Sequence, residues 1–119
     1  MPDLSPEAKE RARRTIAVAQ VIAEHADEIA QATETLPDGH VLVALVDADY
    51  QFAGMHWVGE SELIERIAEL EGPGGSAMVF SRAIEAGHVH GRTAELASIA
   101  EQRIATIDRI TARREQQSE

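Results

Sequence analysis

The chain has 119 residues, a formal net charge of −10, no cysteine and 44% hydrophobic residues, few of them aromatic. This length predicts a single domain over residues 1–119 with an aliphatic core, and the lack of cysteine excludes disulfides and thiolate chemistry. The acidic balance argues against direct binding to nucleic-acid backbone. Without a signal-like start or an apolar run of about 18 residues, we expect a cytoplasmic protein that does not enter a membrane.

A long helix is predicted over about residues 6–35. Ser5 and Pro6 suit a helix start, and a seam of mostly small residues then recurs every three or four positions. We call this feature the seam, and its central members are Ala12, Ala19, Ile22, Ala26 and Ile29. Small side chains allow two helices to approach closely. We therefore expect the seam to be an interaction surface through which copies of the chain self-associate.

The charges of this helix run from basic to acidic, against the helix dipole, whereas the last helix runs from acidic to basic. Packing these two helices parallel to each other would place opposite charges side by side. An antiparallel pairing of the first helix with its own copy would do the same in a dimer. The sequence leaves both arrangements open.

A β-hairpin is predicted over about residues 40–59. Apolar residues occupy both faces of the segment HVLVALV, so the first strand needs cover on both sides. Residues 47–50 suit the turn, and the second strand returns from there to about Val58. Because an isolated hairpin is marginally stable in water, other elements must pack against it.

The second half of the chain is predicted to be mainly helical. A short helix over about 60–71 carries an apolar stripe and ends at Gly72-Pro73. For residues 76–86, the ending RAIEAG favours a second short helix over a strand. A last helix is predicted over about 92–114. The predicted fold is therefore α+β, with a long N-terminal helix, a central β-hairpin, one or two short helices, and a long C-terminal helix packed on the hairpin.

Gly87 and Gly91 bracket the motif His88-Val89-His90. The glycines favour an extended segment, in which residues two apart project the same way and both imidazoles could reach one metal ion. In a helix the two rings would point in different directions. Alternatively, the motif is a flexible linker whose histidines are solvated or cap the following helix.

The motif resembles the JAB/MPN metalloproteases, including the RadC-like branch, in which His-x-His is followed by seven residues, a serine, two residues and an aspartate. Here Ser98 and Glu101 stand at the last two positions, with glutamate in place of aspartate. The resemblance implies a zinc ion held by His88, His90 and Glu101, and Ser98 near the reacting water. It implies a metal-dependent hydrolase as an alternative function.

The function that the sequence favours is non-enzymatic and needs no cofactor. It is a small acidic interaction or assembly module with a protein partner, self-associating as a homo-oligomer through the seam. The zinc hydrolase is the first alternative. An acidic inhibitor that mimics nucleic acid is the second, and it requires carboxylates gathered on one face.

Overall fold

Helices lie on both sides of a three-stranded antiparallel sheet in the computed structural model, which describes residues 6–82 and 84–117. Ser5, whose hydroxyl is predicted to cap the first helix, lies outside these residues. The elements in chain order are α1 (Pro6–Glu24), α2 (Ala26–Thr33), β1 (His40–Val46), β2 (Phe52–Gly59), a 3₁₀ turn (Glu60–Glu62), α3 (Leu63–Glu71), β3 (Ser76–Phe80) and α4 (Ala86–Gln117). The strand order is β2-β1-β3. This arrangement confirms the predicted α+β class, the hairpin and the helix over 60–71.

Strand β1 lies at the centre of the sheet and is buried on both faces. Leu42, Ala44 and Val46 face the layer formed by α1, α2 and α4. Val43 and Leu45 face the other layer, where α3 covers them. The apolar residues on both sides of β1 thus form two cores, as the two-faced sequence pattern of this strand predicted.

The predicted helix over 76–86 is wrong, because this segment contains β3. Met78 and Phe80 enter the core beneath α1, α2 and α4, while Ala77 and Val79 pack on the α3 side. The second edge of β1 decides this outcome: it is left unpaired by the hairpin, and β3 supplies its missing hydrogen-bond partners from Leu42 to Val46. The sequence RAIEAG, which favoured a helix, instead overlaps the start of α4 at Ala86.

The predicted first helix is interrupted at His25, which separates α1 from α2. The Nδ1–H of His25 donates to the Val21 carbonyl at 2.9 Å, so the backbone N–H of His25 turns to Ile22 at 3.0 Å. The imidazole also stacks on Phe52 of β2, with ring centroids 4.0 Å apart. One side chain therefore takes the acceptor that would continue the helix and binds this helix to the sheet.

Helices α1 and α4 pack antiparallel. Lys9 near the start of α1 pairs with Asp108 near the end of α4, and Ala19 and Ala23 lie beside Thr93 at the other end. The parallel arrangement considered from charge order is therefore wrong. Because burial of the small seam residues outweighs exposed charge pairs of about 0–1 kcal/mol each, the basic segments of both helices lie side by side.

We predict that Ile29→Ala destabilises the protein by about 2–5 kcal/mol, because Ile29 is fully buried between α2 and the sheet. Urea unfolding followed by circular dichroism measures the change. Ile64→Ala is the matched control, since Ile64 on α3 is 87% exposed and its truncation should cost less than about 0.5 kcal/mol. Equal losses for the two variants would contradict the assignment of the core.

Candidate interaction surface

The seam is part of the core rather than a free surface. Ala12, Ala19, Ile22, Ala26 and Ile29 are each at most 3% exposed. They pack inside the chain because α4 and the sheet cover this side of α1 and α2. The prediction that these five residues form the interaction surface is therefore wrong, and any docking surface must be sought elsewhere.

The His-x-His motif lies within α4, which begins at Ala86, earlier than the predicted start near residue 92. Fully buried Val89 anchors this first turn, while Gly87 and Gly91 face solvent. The Nδ1 atom of His88 accepts a hydrogen bond from the Glu85 N–H at 3.4 Å, as in a capping box. Both proposed conformations, the extended segment and the flexible linker, are therefore wrong, and His88 makes its capping hydrogen bond at the start of α4 itself.

The zinc ligand set implied by the metalloprotease resemblance is not assembled. Residues two apart on a helix differ in direction by about 200°, so His88 and His90 diverge. Glu101 lies eleven residues beyond His90, about 16 Å further along the same helix, and Ser98 is exposed between them. Within residues 6–82 and 84–117, no three His, Asp or Glu side chains converge as a metal site.

His40 and His56 lie at separate places. His40 lines a cleft of about 320 Å³ at the end of the sheet, where its Nδ1–H donates to the Asp38 carbonyl at 3.0 Å. Arg82 pairs with the Asp38 carboxylate in the same cleft. His56 lies in the middle of β2 opposite Val43. The His88 and His90 side chains do not line this cleft.

Strand β2 has an open edge of eight residues, FAGMHWVG, without a charged residue or a proline. The Glu60 N–H donates to the Gly39 carbonyl at 2.8 Å, and hydrogen-bonded pairs alternate along an antiparallel ladder. Gly59, Trp57 and Met55 therefore direct their N–H and C=O groups away from β1. No hydrogen bond from the described part of the chain reaches these outward groups.

The half-exposed ring of Trp57 lies beside this open edge. Trp57 is 50% exposed and stands opposite Leu42, on the sheet face covered by α1, α2 and α4. A bulge between Leu45 and Val46 shifts Phe52 onto the same face as Met55 and Trp57, whereas the alternation in the sequence predicts Phe52 on the other one. The edge thus combines unpaired backbone groups with an apolar side-chain row.

The opposite edge of the sheet, on β3, is covered. The outward carbonyl of Val79 accepts a hydrogen bond from the Arg92 guanidinium of α4, which also lies over the Phe80 ring at 5.2 Å. Arg14 of α1 donates to the Ser76 hydroxyl at 3.2 Å. Natural proteins commonly protect sheet edges by charged side chains of this kind. Strand β2 lacks such protection and is the candidate interaction surface.

Acidic helices lie on both sides of β2. Asp27, Glu28 and Glu34 are exposed on or next to α2 in one layer, and Glu62 and Glu65 are exposed at the start of α3 in the other. Outside residues 6–14 and 103–117, the described chain carries fifteen carboxylates against three arginines. A segment that approaches the β2 edge therefore meets a negative potential.

No protein-family model matches the chain, and no curated protein or solved structure matches it. Across the two described ranges, no helix has both the length and the apolar character needed to cross a membrane. The candidate surface therefore rests on the geometry and charge of this chain. A sequence signal for it does exist, because an uncharged strand of eight residues is typical of a central strand or an edge that binds a partner.

We predict that Gly87→Ala and Gly91→Ala each stabilise the protein by about 0.5–1 kcal/mol, because both glycines are exposed on α4 with open space where the added methyl group would lie. Thermal unfolding measures the gain. Gly75→Ala is the contrasting variant: its Cβ would lie 1.9 Å from the Glu71 carbonyl oxygen, so this change should destabilise. Absence of any gain at Gly87 and Gly91 would argue against helix at His88.

Proposed function

We propose that the protein is an interaction module that binds an extended, basic segment of a partner protein along the open edge of β2. The outward-facing N–H and C=O groups of Met55, Trp57 and Gly59 carry the proposal. An added strand would pair with these groups, which is how exposed sheet edges recognise peptides. The sequence also favours an interaction module, but the surface that we propose for binding is the β2 edge instead of the seam.

The side chains around the edge define the chemistry of the segment. Alternate residues of an added strand would lie beside Met55 and Trp57, where apolar side chains bury the exposed part of the indole ring. The carboxylates of α2 and α3 favour Lys or Arg at the remaining and flanking positions. The expected ligand therefore alternates apolar and basic residues over about five to eight positions.

Charge also disfavours a second copy at this edge. Pairing β2 with β2 of another copy would bring two strongly acidic molecules together, and neither β2 nor β3 contains a lysine or an arginine that would offset the repulsion. The nucleic-acid-mimic alternative has weaker support, because the exposed carboxylates occupy both layers rather than one face. A cytoplasmic location stays a prediction from the sequence.

The test uses eight-residue peptides with capped ends, in which apolar residues alternate with Lys, with Glu or with Ser. We predict that only the Lys series shifts the fluorescence of Trp57, the one tryptophan of the chain, and that added salt weakens the effect. Amide resonances of Met55, Trp57 and Gly59 should shift together in NMR titrations. Equal binding of the Glu series, or no response to any series, would contradict the proposal.

Two variants separate backbone pairing from ring contact, with labelled peptide and fluorescence anisotropy as the readout. Gly59→Pro fits the fold because Gly59 has φ −65° and ψ 137° and open space around it, and it removes one outward N–H. It should weaken binding about two- to tenfold. Trp57→Ala should weaken it at least as much. Ile99→Ala is the matched control, equally 50% exposed but on α4, and should leave affinity unchanged.

A further inference from the structure

The outward face of the second half of α4 is basic and partly apolar. Ala100 and Ile107 are buried towards α1, and a neighbouring flank of the helix carries a set of residues that are exposed or, at Ile110, partly exposed. That set is Ile99, Arg103, Thr106, Arg109, Ile110, Arg113 and Arg114, and we call it the α4 outer face. It contains four arginines and no carboxylate.

The arginines of the α4 outer face make no ion pair with any described residue. By contrast, the other cations of this end are engaged: Lys9 pairs with Asp108, and Arg13 pairs with Glu10. Ile99 is 50% exposed among the unpaired charges. The antiparallel packing of α1 and α4 thus leaves one positive, partly apolar surface on a molecule whose net charge is −10.

The outer side of α3 has the complementary character. Ile64 is 87% exposed there, and Ala68 is exposed one turn further on. Glu62 and Glu65 flank these apolar residues and make no ion pair within residues 6–82 and 84–117. One chain therefore exposes an isoleucine among arginines and another isoleucine among glutamates.

We propose that two copies of the chain associate by placing the α4 outer face of each on α3 of the other. Charge complementarity selects this partner, and the exposed isoleucines explain why nucleic acid is a poorer one: phosphates would pair with the arginines but leave Ile99 uncovered. The contact does not use the outward backbone groups of β2, although it covers Glu62 and Glu65, which also contribute to the negative potential at that edge.

Interface area favours a two-fold arrangement. The 3₁₀ turn and α3 together span about 18–20 Å, so one helix-on-helix contact buries only a few hundred Å². A specific interface needs about 1,000 Å² or more. A two-fold axis makes the same contact twice, which brings the buried area into the range of a weak, salt-sensitive dimer.

Sedimentation equilibrium of the full chain over a range of concentrations and salt tests this dimer. We expect dimerisation at low ionic strength that weakens as salt rises. Arg109→Glu with Arg113→Glu should weaken the dimer about tenfold or more, as should Ile99→Ser or Ile64→Ser. Arg82→Glu, which removes a cation outside both faces, should change dimerisation little. A monomer at all concentrations and salt conditions overturns the proposal.

Exchanging the charges of the two proposed surfaces tests whether α3 is the surface that the α4 outer face binds. Glu62→Arg with Glu65→Arg should also dissociate the dimer. Mixing this variant with the Arg109→Glu, Arg113→Glu variant should restore both contacts, one through the native charges and the other through the reversed charges. Failure of the mixture to associate more than either variant alone overturns the assignment of α3. Binding of a single-stranded DNA 20-mer in preference to self-association, with loss on the same arginine changes, would also overturn it.

Discussion

Burial of β1 on both faces and pairing on both edges is the constraint on which the rest of the structure depends. A strand this apolar requires one helical layer against Leu42 and Val46 and another against Val43. Since the hairpin supplies only one edge partner, a further segment must pair with the other. These demands place α1, α2 and α4 on one side, α3 on the opposite side, and β3 beside β1.

Polar side chains then tie the helical layer to the sheet at defined points. His25 interrupts the first helix by binding the Val21 carbonyl and stacks on Phe52. Arg14 donates to Ser76 and to the Asp47 carbonyl, and lies over the Tyr50 ring. The buried Thr33 hydroxyl accepts the Ile84 N–H and donates to Ala30. These contacts connect segments far apart in sequence, and no buried side-chain nitrogen or oxygen atom of the described residues lacks a hydrogen-bond partner.

The same packing decides which surfaces remain available for partners. Because α4 covers the seam, small residues that look suited to self-association become core. Arg92 and Arg14 contact the β3 edge, whereas the β2 edge keeps the outward backbone groups of Met55, Trp57 and Gly59 beside a half-exposed ring. Antiparallel packing of α1 and α4 also separates charge, leaving a basic end on an acidic body. The two proposed contacts use these two surfaces: the open edge of β2 and the α4 outer face.

Local patterns in the sequence determined the α+β class, the hairpin with its Asp47 turn, and helix α3, because periodicity and turn chemistry act over a few residues. Only the tertiary structure decided the conformation of residues 76–80 and 84–91. Ser76–Phe80 forms a strand because it pairs with the free edge of β1, although the residues that follow it are typical of a helix. Burial of Val89 stabilises α4 across Gly87 and Gly91, and this helix directs His88 and His90 away from each other. The candidate surface on β2 also depended on the tertiary structure. An uncharged strand can lie at the centre or at an open edge of a sheet, and which of the two it occupies is set by whether a distant segment pairs beside it.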